Sequence, residues 1–142
     1  MKKISRFIII VFFISFDFLV NAANTDYYNQ GIKFFNLNNY KEAKFYFEKD
    51  IVFNIKNEKS YLYLSKIALI EKDKVQEKNY LDTVLVINPK NEEALYLKIL
   101  LNVDEGDFKK AQESNLIFGK VCKDLCSKKT DLSKMIIVDK KK

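Results

Sequence analysis

The sequence predicts an all-α chain, a helical-hairpin repeat solenoid of about three units with a C-terminal capping segment. Three observations carry that prediction. Helix breakers are scarce, with three glycines and one proline in 142 residues, which favours long helices on short turns. Segments 24–57, 58–91 and 92–125 align without a gap at a 34-residue spacing, the signature of stacked supersecondary units. Within these segments apolar residues recur at helical intervals on either side of a polar turn.

The chain opens with Lys2, Lys3 and Arg6, followed by an apolar run from Phe7 to Val20 broken only by Ser15 and Asp17. Small residues follow, and Val20-Asn21-Ala22 has the spacing a signal peptidase reads. Residues 1–22 are therefore expected to form a secretory signal peptide cleaved at Ala22-Ala23. A retained membrane span is disfavoured. The run would rise only ~21 Å as a helix against a hydrocarbon core of ~30 Å, and Asp17 within it is costly in lipid. With no cysteine before Cys122, a lipid thioether at the new N-terminus is not expected. The reading is of an exported, periplasmic protein with no stable membrane span.

Residues 23–127 hold the repeats. In the first, Tyr27, Gly31 and Phe34 share one helical face. After a turn at Asn38-Asn39, Tyr40, Ala43 and Phe47 mark the next. Asn38 stands where the turn needs a positive φ, which Asn tolerates better than most residues, and Gly106 fills the same place in the third repeat. Asn38-Asn39-Tyr40-Lys41-Glu42-Ala43 matches Gly106-Asp107-Phe108-Lys109-Lys110-Ala111 as polar turn, aromatic anchor and helix start. The middle copy, Lys72 to Glu77, keeps the turn but has Lys74 at the anchor. Asn88-Pro89 ends the second unit, since proline is tolerated in a first turn but not within a helix.

This pattern resembles the tetratricopeptide repeat over residues 24–125, at that family's period. Tyr27, Gly31, Phe34, Ala43 and Phe47 take its signature positions in the first repeat. Tyr61, Leu64, Ala68, Leu81, Val84 and Pro89 do so in the second, and Leu95, Gly106, Asp107, Phe108 and Ala111 in the third. The departures are Asp50 and Glu77 at small-residue positions, Ile99 and Asn102 in the first helix of repeat three, Asn115 at an aromatic position and Phe118 at a small one. The resemblance implies that the first helices line a groove for a protein or peptide. By position Tyr28, Ile32, Phe35, Leu62, Lys66, Leu69, Tyr96, Leu100 and Val103 would face it. The Lys/Asn set with which some members clamp a C-terminal carboxylate is not matched, because Tyr28 and Ile32 stand there.

Residues 128–142 form a basic cap or tail. Thr130 or Asp131 can start a turn, and Leu132, Met135, Ile136 and Val138 can cover exposed core; a disordered tail is the competing reading. Cys122 and Cys126 lie just before it. An even cysteine count in an exported chain favours a disulfide. On a regular helix, however, the i, i+4 spacing holds Cβ atoms ~5–6 Å apart, and a disulfide needs ~3.5–4.5 Å. A bond therefore requires the helix to finish near Lys123. Free or intermolecular thiols and a redox pair remain alternatives, although three residues separate the cysteines where a thioredoxin-type motif has two.

Composition excludes several chemistries. There is no histidine, hence no imidazole base, no His-containing triad and no histidine metal site. Two thiolates alone do not make a zinc site, and neither a glycine-rich phosphate loop nor a nucleophile elbow occurs. No cofactor and no enzymatic activity are expected. Between residues 23 and 127, sixteen lysines balance sixteen acids, and the only arginine is Arg6. A neutral body without guanidinium groups is not a nucleic-acid-binding face, although the Lys-rich tail can touch an anionic membrane surface weakly. The expected function is that of an adaptor binding a protein or peptide partner, in cell-envelope assembly by fold-level analogy alone. The alternatives are a periplasmic thiol-dependent factor using Cys122 and Cys126, and a subunit that self-associates.

Overall fold

A computed structural model describes residues 26–139, with side chains as far as Ile137. The expected signal peptide and cleavage junction, the expected core contact of Val138 and the terminal Lys140–Lys142 lie outside the described residues and side chains. Seven α-helices follow in order: α1 Tyr27–Asn36, α2 Tyr40–Phe53, α3 Glu58–Glu71, α4 Lys74–Ile87, α5 Glu92–Asp104, α6 Phe108–Val121 and α7 Lys129–Asp139, with a 3-10 turn at Cys126–Lys128 before the last. There is no strand among the described residues. α1–α2, α3–α4 and α5–α6 pair as hairpins, and each hairpin packs on the next through its second helix. This is the all-α repeat solenoid that the sequence predicts.

The period is kept at the level of single backbone positions. Second helices begin at Tyr40, Lys74 and Phe108 and end at Phe53, Ile87 and Val121, each set 34 residues apart. The positive-φ residues of the hairpin turns are Asn38 (57°), Lys72 (60°) and Gly106 (75°), again 34 apart. Lys72 shows that the middle turn keeps its geometry with a side chain poorly suited to it.

Each of the six repeat helices starts at an Asp or Asn whose side chain accepts a backbone N–H of the first turn: Asp26, Asn39, Asn57, Asp73, Asn91 and Asp107. Such caps satisfy amides that have no partner within the helix. They are also a sequence signal that the apolar pattern alone does not use.

Burial follows the same register even where residue types depart from the family pattern. Ala43, Glu77 and Ala111 are equivalent and buried, as are Asp50, Val84 and Phe118, and Gly31, Ser65 and Ile99. Size is traded across the hairpin. A Cβ on Gly31 would come within 2.6 Å of the Phe47 ring, so the first repeat combines no side chain with a large one. The equivalent residues are Ser65 with Leu81, then Ile99 with Asn115. A large residue on one helix accompanies a small one on the other, as dense packing requires.

Helix α7 caps the array. Its Leu132 and Ile136 are buried in one cluster with Leu95, Ile99, Ala111 and Phe118, whereas Met135 is exposed. The 3-10 turn and α7 together occupy 126–139, which continues the 34-residue spacing of the first helices at 58 and 92. α7 thus occupies the first-helix place of a fourth unit.

Candidate functional site

Among the described residues, two depressions lie along the first-helix face, each between successive repeats. The first, of about 390 Å³, is walled by Tyr28 of α1, by Glu58, Lys59, Leu62, Tyr63 and Lys66 of α3, and by Asn91, Glu92 and Glu93 at the start of α5. Tyr28 is fixed by ring contacts to Phe47 at 6.0 Å and Tyr63 at 6.2 Å. Burial first, then the neighbouring Tyr63 and Asp50, push its phenol pKa upward, so it stays a neutral donor. Lys66 lies 2.7 Å from Glu93 and 4.6 Å above the Tyr63 ring. The lone lysine expected in an apolar groove is therefore already paired, and carboxylates join the wall.

Glu58 and Glu92, one period apart, each open a first helix and reach back to the loop that leaves their own hairpin. Glu58 accepts from Asn88 Nδ2 at 3.1 Å. Glu92 accepts the backbone N–H of Asp124 at 3.1 Å and that of Lys123. The Lys123 amide, and then burial acting the other way, set its pKa, which lies below the ordinary carboxylate value.

The second depression, of about 290 Å³, is lined by Leu69 of α3, Glu77 of α4, and Leu97, Leu100, Leu101 and Asp104 of α5. Of its leucines, Leu69 is exposed, Leu97 and Leu100 are half-buried and Leu101 is buried. Glu77 comes from a second helix that reaches the same space.

The nine positions expected to line a groove thus divide. Tyr28, Leu62 and Lys66 line the first depression, with Leu62 as its floor at 7% exposure, and Leu69 and Leu100 line the second. Ile32 and Phe35 pack on the Ala43, Phe47, Leu64 and Ile67 core, with Phe35 only 5.0 Å from the Tyr63 ring. Tyr96 and Val103 pack on the cluster that includes Phe118, Leu132 and Ile136, and they line neither depression. Tyr96 packs on the Phe118 ring, 6.5 Å between centroids, and Tyr96 and Val103 both belong to the core between the third hairpin and α7.

Cys122 and Cys126 are bonded, with Cα atoms 5.2 Å apart. α6 finishes at Val121 and Cys122 turns to ψ 144°, the early ending that the spacing requires. The ring is anchored inward by Cys122 and Leu125 against the α7 core cluster. Glu92 holds two amides within it. Among the described residues no group of three His, Cys, Asp or Glu is placed to hold a metal. No helix there is long and apolar enough to cross a membrane. No family model matches the sequence, and no curated protein is significantly similar to it.

Proposed function

We propose that the chain is an exported helical-repeat adaptor of the tetratricopeptide type, which binds a segment of a protein partner across its first-helix face. The observation that supports this is the pair of depressions between successive first helices, lined by Tyr28, Tyr63 and Lys66 in one and by Leu69, Leu97 and Leu100 in the other. Aromatic and aliphatic side chains beside convergent polar groups are what peptide-binding surfaces use for anchoring and orientation. A place in cell-envelope assembly rests on analogy of fold and on the signal-like residues 1–22. The bonded cysteines fit a structural brace, since their ring packs on core and has its amides occupied.

A photo-cross-linker at Leu69, compared with one at Val52 on a second helix, tests the adaptor reading in the native envelope. The expected outcome is a discrete adduct from position 69 and none from 52. Adducts from 52 alone would shift the reading to self-association or another surface, for Val52, Phe53 and Ile55 are all more than two-thirds exposed at the end of α2 (76%, 71% and 71%).

A further inference from the structure

We infer that the depression between α3, α4 and α5 receives a lysine side chain from the bound protein segment, with its aliphatic stem among Leu69, Leu97, Leu100 and Leu101 and its ammonium on Glu77. The inference rests on the adaptor reading and names the partner chemistry one subsite would select. Glu77 is 4% exposed yet lines the cavity. Among the described residues its carboxylate accepts no hydrogen bond and joins no ion pair. The neighbouring cations are already engaged, Lys74 with Asp104, Lys78 with Glu105 and Lys98 with Asp82. The apolar wall supplies a place for methylenes, and the recessed Glu77 carboxylate supplies the unpaired charge, the other lining carboxylate, Asp104, being held by Lys74. A compact ammonium on a flexible stem suits that geometry better than a planar guanidinium fork.

Comparison between repeats argues that this carboxylate is not there for packing. The equivalent residues are Ala43 and Ala111, both 0% exposed, where two helices approach closely. Alanine would satisfy the same packing in the second repeat. A carboxylate recessed in a largely apolar depression with no hydrogen bond or ion pair is instead costly to keep ionised. Burial, then the charges of Asp104 and Glu105, raise the Glu77 pKa, with Lys74 and Lys98 opposing only in part. The cost of that charge is absent at acid pH, where Glu77 is protonated in both folded and unfolded chains. It grows as pH rises from the ordinary carboxylate value through the raised one. An incoming ammonium removes this cost, so the site couples ligand charge to stability.

The test is an NMR titration of the exported chain with n-butylammonium chloride, run beside n-butanol as the neutral probe of matching length. The expected result is a saturable response at the methyls of Leu69, Leu97, Leu100 and Leu101. The Glu77 carboxyl should titrate at lower pH when the ammonium is bound. Glu77→Gln should weaken ammonium binding at least tenfold while raising the thermal midpoint at neutral pH, which separates loss of the site from loss of the fold. An equal response to n-butanol, an unchanged affinity in Glu77→Gln, or no saturable response would each overturn the inference. The probe needs no partner, so these outcomes leave the cross-linking result at Leu69 standing. Conversely, ammonium binding with adducts only from Val52 would sink the adaptor reading while leaving the subsite.

Discussion

The first and third repeats share one backbone frame and fill it with different materials. Between residues 26 and 57 there are five Phe and four Tyr, and Tyr28, Phe35, Phe47 and the next repeat's Tyr63 form a continuous ring cluster at 5.0–6.2 Å. The third repeat is largely aliphatic, built on Leu95, Ile99 and Leu101 with Phe118. One repeat position shows the contrast directly. In the first repeat it is Asp50, buried and accepting from Asn54 at 3.0 Å, Asn57 at 2.6 Å and Ser60 at 2.5 Å, which ties α2 to the start of α3. In the third it is Phe118, in the cluster that holds α7. A polar knot and an apolar plug perform the same task, joining one hairpin to the next. The period prescribes that the position be buried, and the neighbours decide the chemistry.

The largest effect that would test this equivalence is truncation of the aromatic anchors. Phe47→Ala and Phe118→Ala should each cost about 3–5 kcal/mol in denaturant unfolding, as expected for fully buried rings. A small loss at Phe118 with a large one at Phe47 would mean that the third repeat is carried by its cap rather than by its own hairpin.

The Asp50 knot comes next. Asp50→Val alone should destabilise by about 2–3 kcal/mol, because the donors of Asn57 and Ser60 lose their acceptor. Combining it with Ser60→Ala copies the Val84 and Ala94 pair of the second repeat, which lie in one cluster, and should recover at least half of that loss. A strictly additive double variant would show that the polar and apolar solutions are not interchangeable.

Replacing both Cys122 and Cys126 by Ser should cost no more than ~2 kcal/mol, the loop-entropy limit for so short a ring. The effect should be local, with faster amide exchange in α7 and at the end of α6 and none in α1 or α2. Faster exchange throughout would contradict the nearest-neighbour picture.

The smallest expected change is in the middle turn. Lys72 holds φ 60°, a conformation costing a non-glycine residue ~1–2 kcal/mol. Lys72→Gly should gain about 0.5 kcal/mol after glycine's own entropy loss, seen as a slightly higher midpoint.

Much of the architecture was legible because it is local. Helix starts at Tyr40 and Phe108 and the turn residues Asn38 and Gly106 follow from side-chain size and backbone preference within a few residues. The Asx caps were equally legible, since each acts three residues away or fewer. The departures were not. Glu77, Asp50, Ile99 and Phe118 read as breaks in a pattern, yet all are buried. Asp50 is satisfied by Asn54, Asn57 and Ser60 and Ile99 faces the smaller Asn115, whereas Glu77 has no such partner.

By itself, then, the sequence determined the helical hairpins, their 34-residue spacing, their turns and the capacity of residues 130–138 to cover core. Helix periodicity and turn dihedrals are encoded within a few residues of each position. Only the tertiary structure decided that α7 would take the fourth first-helix place and bury Leu132 and Ile136 against Leu95, Ile99 and Phe118, that Lys66 would be neutralised by Glu93, and that Glu77 would be left recessed without a paired cation. Each of these depends on which side chains a neighbouring helix, tens of residues away in the chain, brings within a few ångströms, and no local pattern records that distance.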